Sequence, residues 1–166
     1  MGGHDNWNEL LADDSDDQVA ETLRRMAGCQ DVQGVTAAVV QLSGSRGDDV
    51  RMWAAEALET AVQPSAEEVV SLATILRQAE DGEICYWAAT MLGRLGPSAA
   101  PAVEALAGCL RKSLYLPARE QAAWALYRIG PHASAAAATL QATAKAAPPR
   151  LHRMVTEALR AIGEAA

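Results

Sequence analysis

The feature that most constrains this chain is an internal repeat. The segments VRMWAAEALETAV from Val50, ICYWAATMLGRLG from Ile84, AREQAAWALYRIG from Ala118 and LHRMVTEALRAIG from Leu151 align under one another. Leu58, Leu92, Leu126 and Leu159 fall in register at steps of 34, 34 and 33 residues. Ala54, Ala88, Ala122 and Val155 do the same, as do Ala57, Met91, Ala125 and Ala158. Ala20, Glu21 and Leu23 match Ala55, Glu56 and Leu58 at an offset of 35, which adds a degenerate first copy. A period of 20 to 50 residues implies stacked supersecondary units, because one unit cannot bury its own apolar face.

Each copy carries apolar residues at helical spacing, as in Ile84, Ala88, Met91, Leu92 and Leu95. A second helical pattern lies between the copies: Val35, Ala38, Val39 and Leu42 recur as Val69, Leu72, Ala73 and Leu76, then as Val103, Leu106, Ala107 and Leu110. A weaker version follows at Ala137, Leu140, Gln141 and Ala144, with Gln141 in a seam position. The spacing predicts helices near 16–28, 31–43, 49–62, 65–80, 83–95, 98–112, 118–129, 132–146 and 149–163, with a short capping helix between Asn6 and Ala12. Gly96-Pro97 and Gly130-Pro131 are expected to stop two of them. The 166 residues read as one repeat domain: an acidic cap over 1–15, repeats over 16–47, 48–81, 82–115 and 116–148, and a half-repeat over 149–166.

The first-helix pattern resembles HEAT-like repeats of the phycobilisome-lyase type, typified by D-x-x-VR-x-x-AA-x-AL-x-x-IG. Asp48, Asp49, Val50, Arg51, Ala54, Ala55, Ala57 and Leu58 carry the resemblance, followed by Arg119, Ala122, Ala123, Ala125, Leu126, Ile129 and Gly130. It implies an all-α solenoid, a HEAT/ARM-like right-handed superhelix of about four and a half helix pairs. It does not fix an activity, since such folds host scaffolds, chromophore lyases, hydroxylases and DNA glycosylases.

Composition and motifs narrow the function. No apolar run reaches the roughly 20 residues of a membrane span, and the N-terminus lacks a basic-then-apolar signal, so a cytoplasmic protein is expected. Arg outnumbers Lys 12 to 2 and Ala is abundant, as in a GC-rich bacterial gene. Cys29, Cys85 and Cys109 match no disulfide framework or zinc site and are expected to be buried thiols in a reducing compartment. His4, His132 and His152 are followed by Asp5, Ala133 and Arg153, so the His-Glu pairs of HEAT-like di-iron hydroxylases are missing, and no metal or cofactor is expected. The run Asp13 to Asp17 lacks the Gly and closing Glu of a calcium loop and is expected to cap a helix through Ser15 or Asp16.

What remains is binding. Residues 1–83 hold 17 acids and 5 bases and residues 84–166 hold 4 acids and 9 bases, so the halves carry −12 and +5. Such a dipole favours an oriented partner over general nucleic-acid binding. Arg77, Arg111 and Lys145 share one register at the ends of the second helices, with Lys112 beside them, and suit an acidic peptide. Cations at helix C-termini also satisfy the dipole there, which accounts for each residue singly. The groove beside them, lined by Ser71, Ala105, Thr139, Thr74, Gly108 and Ala142, is expected to be smooth and shallow. At about 100° per residue, with Ile84 at the centre of the buried stripe, Tyr86, Trp124 and Tyr127 point away from the core, while Trp53 and Trp87 sit at its edge. An outward aromatic set suits an association surface. The last helix offers Leu151, Val155, Leu159 and Ile162 on one side, and also Met154 and Ala161, so either this helix is itself the cap or its open flank meets another chain, which allows self-association there.

These features together point to a non-catalytic scaffold or adaptor that binds another protein or peptide. The alternative is a bilin-lyase-like accessory enzyme or chaperone acting on a partner protein; a nucleic-acid-binding HEAT domain is a third reading.

Overall fold

The computed structural model describes residues 6–13, 15–45 and 47–163. His4, Asp5 and Asp14 therefore lie outside the described residues. Helices run over Trp7–Leu11 (α1), Asp16–Ala27 (α2), Thr36–Leu42 (α3), Asp48–Thr60 (α4), Val69–Gln78 (α5), Gly82–Leu95 (α6), Val103–Lys112 (α7), Leu116–Ile129 (α8), Ala137–Ala144 (α9) and Pro149–Gly163 (α10). Among the described residues strand-type pairing is limited to one parallel bridge between Val32 and Val62. None of these helices is long and apolar enough to cross a membrane. The chain divides between Gln63 and Pro64 into two compact units.

In the first unit α2 packs on α4, α3 on α4 and α1 on α2. Leu23, Met26, Val39, Val40, Ala54, Ala57 and Leu58 are fully buried between them. The helix expected over 31–43 begins only at Thr36. Asp31 and Gly34 have φ of 61° and 76°, and Val32 donates to the Ala61 carbonyl while accepting from Gln63 N–H. That pairing takes the backbone groups a helix would need. Ser15 stands at the N-cap of α2, but its side chain makes no capping hydrogen bond; Asp16 and Asp17 supply the negative charge favoured at that end. Cys29, expected to be buried, is exposed on the turn after α2.

In the second unit α6, α8 and α10 stack in succession, while α5, α7 and α9 form a second row against them. Ala88, Ala89, Ala122, Ala123, Ala125, Leu92, Leu106 and Leu126 are fully buried. The row of second helices starts later than periodicity alone predicts. A 3-10 turn over Ala66–Glu68 precedes α5, held by the reciprocal Ser65 and Glu68 capping box. Longer 3-10 segments, Gly96–Ala102 and Gly130–Ala136, precede α7 and α9. In the first of these Pro101 removes an N–H and disfavours helical backbone at Ala100. Gly96 and Gly130 do stop α6 and α8, with φ of 57° and 68° that other residues seldom adopt.

The register drifts at the last helix. Leu151, Val155 and Ala158 are buried in α10, whereas Met154, Leu159, Ala161 and Ile162 are half-buried. Gln141, in its expected seam position, is exposed, and only Leu140 of α9 is buried.

Leu126→Ala, at a fully buried position of α8, is expected to cost about 2–5 kcal/mol. Val70→Ala, at a site 67% exposed, should change stability by less than about 0.5 kcal/mol. Urea denaturation of the two variants checks the contrast.

Candidate functional site

The second unit carries a cleft of about 780 Å³ where the C-terminal ends of α5 and α7 stand beside the first turn of α6. Its floor is made of small side chains, Ala105, Gly108, Cys85 and Cys109, and a methyl group added at Gly108 would meet nothing within 4 Å. Rather than a smooth shallow groove, the repeat leaves a concavity here. Arg77, Arg111 and Lys112, all exposed, stand on its rim with Glu80 and Glu104. Lys145, at the C-cap of α9, is exposed but does not line the cleft. The expected basic row is therefore a cluster of three cations, with Lys145 apart from it.

Leu114 and Tyr115 close one side of the cleft. Leu114 has a relative exposure of 103%, an apolar side chain wholly in solvent. Tyr115 is held firmly: its ring lies so close to Gly82 that a methyl group there would sit 2.6 Å from Cγ. Its hydroxyl donates to the Glu83 carboxylate. Glu83 sits in the first turn of α6, which is capped by the Asp81 carboxylate accepting from Glu83 N–H and Ile84 N–H at 2.8 and 3.1 Å. The hydrogen bond to Glu83, with smaller contributions from burial and neighbouring negative charge, pushes the Tyr115 phenol up to about 12.

Periodicity alone did not single out Leu114 and Tyr115, yet a signal was present. Tyr115 lies 34 residues after Asp81, so an aromatic side chain occupies the repeat position that in the preceding copy holds the capping acid of α6.

The expected aromatic surface is less open than helical geometry suggested. Only Tyr127, 45% exposed, points freely to solvent. Trp124 is half-buried, its ring laid on Gly93 of α6 so that a methyl group there would lie 2.3 Å from Cζ3. The Arg128 guanidinium covers the Trp124 ring at 5.5 Å. Tyr86 is half-buried and meets Trp87 edge to face at 5.1 Å, and Trp87, expected at the core edge, is buried. The cause is that α6 is buried around most of its circumference: Cys85 and every residue from Trp87 to Gly93 are buried, whereas Ile84, taken as the stripe centre, is only half-buried. Met52, the repeat equivalent of Tyr86, is exposed. Among the described residues no group of three or more His, Cys, Asp or Glu side chains gathers as a metal site.

No protein-family model matches the chain, and no curated protein matches it. Solved structures do. A designed armadillo repeat protein in complex with the peptide (KR)4 is similar with a TM-score of 0.65 at 16% identity, over 94% of this chain and 80% of that one. A second designed armadillo repeat protein gives 0.62 at 14% identity, again over 94% and 80%. An engineered protein from the Northeast Structural Genomics Consortium gives 0.60 at 20% identity, over 95% of this chain and 47% of that one. These likenesses show the fold: an all-α solenoid of the HEAT/armadillo kind.

Two glycines of the second unit should respond oppositely to alanine. Gly93→Ala is expected to destabilise by about 1–3 kcal/mol because Trp124 must move. Gly108→Ala, in open space, should stabilise by up to about 1 kcal/mol through helix propensity. Thermal unfolding of both variants checks this pair.

The raised Tyr115 phenol gives a pH prediction. Its favourable hydrogen bond is fully present below the ordinary phenol value of 10.0 and is lost as pH rises through about 12. Ultraviolet titration should show one of the 3 tyrosines ionising late, and Glu83→Gln should return it towards 10.0.

Proposed function

We propose that this chain is a protein-binding module whose cleft, rimmed by Arg77, Arg111 and Lys112 and walled by Leu114 and Tyr115, takes an acidic peptide segment bearing an apolar side chain. Repeat folds of this kind typically serve as interaction scaffolds, and one structural neighbour holds a peptide. The observation that carries the reading is the coincidence, in one cleft, of three exposed cations and a wholly exposed leucine. Exposed apolar surface beside fixed charge is a common signature of an association site. Each cation stands in the last turn of its helix, where the helix dipole also favours it. Dipole stabilisation and ligand binding are compatible, since the charges still face solvent.

The charge preference distinguishes this cleft from its neighbour's. The designed armadillo protein holds the basic peptide (KR)4, whereas three cations here face two carboxylates, Glu80 and Glu104. The excess is small, so the apolar contact at Leu114 has to supply part of the affinity, and Tyr127 on α8 is a secondary contact point rather than the main surface. The proposed role involves no chemistry on the partner. Kinship with phycobilisome-lyase-type HEAT repeats, suggested by the first-helix motif, is part of this reading at the level of ancestry.

Fluorescence anisotropy with a labelled octapeptide alternating Glu and Leu, (EL)4, tests the proposal against labelled (KR)4. Preferential binding of (EL)4, weakened about tenfold or more by Arg77→Glu/Arg111→Glu and by added salt, is expected. Leu114→Ser should weaken it independently of salt. Equal or better binding of (KR)4, or an (EL)4 affinity indifferent to the charge reversal, would overturn it.

A further inference from the structure

The binding reading leaves the floor of the cleft unused, and that floor carries the chain's two buried cysteines. Cys85 projects from α6 and Cys109 from α7; both are free, with relative exposures of 6% and 7%. Each lines the same cleft, so the two sulfurs share one opening to solvent. They stand close enough that each is the first influence on the other's ionisation. Cys85 Sγ donates to the Ala79 carbonyl at 3.5 Å and Cys109 Sγ to that of Ala118 at 3.8 Å, with the Asp81 carboxylate acting on Cys85 and the Arg119 guanidinium on Cys109. Two neighbouring thiols, buried from bulk solvent yet opening on one cavity, differ from the inert core cysteine that fills space between apolar side chains.

We propose that Cys85 and Cys109 form an oxidisable dithiol, a modification site at which a small hydroperoxide entering the cleft converts the pair to a disulfide joining α6 to α7. The Cys85 thiolate attacks one peroxide oxygen; the O–O bond breaks, and the departing hydroxide takes up the proton released by Cys85 to leave as water. Cys85 is then a sulfenic acid. Cys109 sulfur attacks Cys85 Sγ; the S–S bond forms, the S–O bond breaks, and hydroxide leaves as water with the Cys109 proton. The thiols give up two electrons and two protons in all, and hydrogen peroxide becomes two molecules of water.

The order of the two steps follows from the unequal surroundings of the two sulfurs. The neighbouring Cys109 thiol holds the Cys85 thiol below its ordinary range, and Cys85, reinforced by burial, holds Cys109 above it. Cys85 is thus the attacking sulfur and Cys109 the resolving one. The site stands independently of what the cleft binds, since it rests on the sulfurs and their shared access.

The test uses the full chain carrying Cys29→Ser, which removes the exposed thiol. After hydrogen peroxide the intact mass should fall by about 2 Da, and the denatured chain should take up no N-ethylmaleimide instead of two equivalents. Dithiothreitol should restore both. Adding Cys109→Ser should replace that loss with a gain of about 16 Da, trapped by dimedone, while Cys85→Ser should slow oxidation of the remaining thiol. Peptide mapping of peroxide-treated wild-type chain, which needs no substitution, should find Cys85 linked to Cys109. A peroxide-treated Cys29→Ser chain that keeps two alkylatable thiols, or that crosslinks only between molecules, would overturn the proposal.

Discussion

The structure of the second unit depends on how closely its first-type helices approach. Ala88 and Ala89 on α6 and Ala122, Ala123 and Ala125 on α8 are all fully buried. Side chains this small let backbones come near the lower end of the usual 8–10 Å helix spacing. The contact is tight enough that Gly93 has no room for a methyl group beneath the Trp124 ring. Burial per residue is modest with alanine, so stability accumulates from leucines set into the seam at each repeat, Leu92 and Leu126 on this row and Leu72 and Leu106 on the other. Any bulky residue inserted into the alanine row would spread the helices and expose those leucines.

Because the first-type row is packed so closely, the second helices carry the variation that makes a site. Gly-Pro stops and 3-10 segments delay α7 and α9, so these helices are short and their last turns face solvent. The first turn of α6 stands beside the ends of α5 and α7 and completes the cleft. Small residues on the floor leave the concavity open, with Ala105 buried and nothing within 4 Å of a methyl group at Gly108, and Arg77, Arg111 and Lys112 stand at the rim where carbonyls are left unpaired.

Much of this was legible in the residues. A 34-residue leucine and alanine register located the helices and their pairing, and Gly96 and Gly130 marked two ends through a backbone conformation that few other residues accept. Three things escaped periodicity for physical reasons. The Val32 to Val62 bridge is a long-range pairing within its unit, which a local pattern cannot show. The burial of Trp124 depends on a glycine 31 positions earlier, and treating α8 as having one buried face missed that contact. The gathering of Arg77 with Arg111 and Lys112, but not Lys145, depends on side chains from α6 and the Leu114 to Tyr115 segment closing the cleft. Register gives position along each helix; it does not give the depth of the surface between helices.

Where two successive repeats differ, the cleft gains its wall. Asp81 caps α6 through two backbone N–H groups, and the residue in the same register before α8 is Tyr115, which makes no capping hydrogen bond. Giving up a cap costs about 1 kcal/mol. Part of that is offset by Pro117 in the first turn of α8, which lacks an N–H to satisfy, and part by the Tyr115 hydroxyl bonding back to Glu83. The exchange converts a purely local stabilising group into one that ties two successive repeats together and leaves Leu114, its neighbour, wholly exposed. Stability alone would favour the acid, which serves the helix where it stands. An aromatic residue there instead spends its contacts across the cleft on α6, fixing the position of an apolar side chain that the fold itself does not bury.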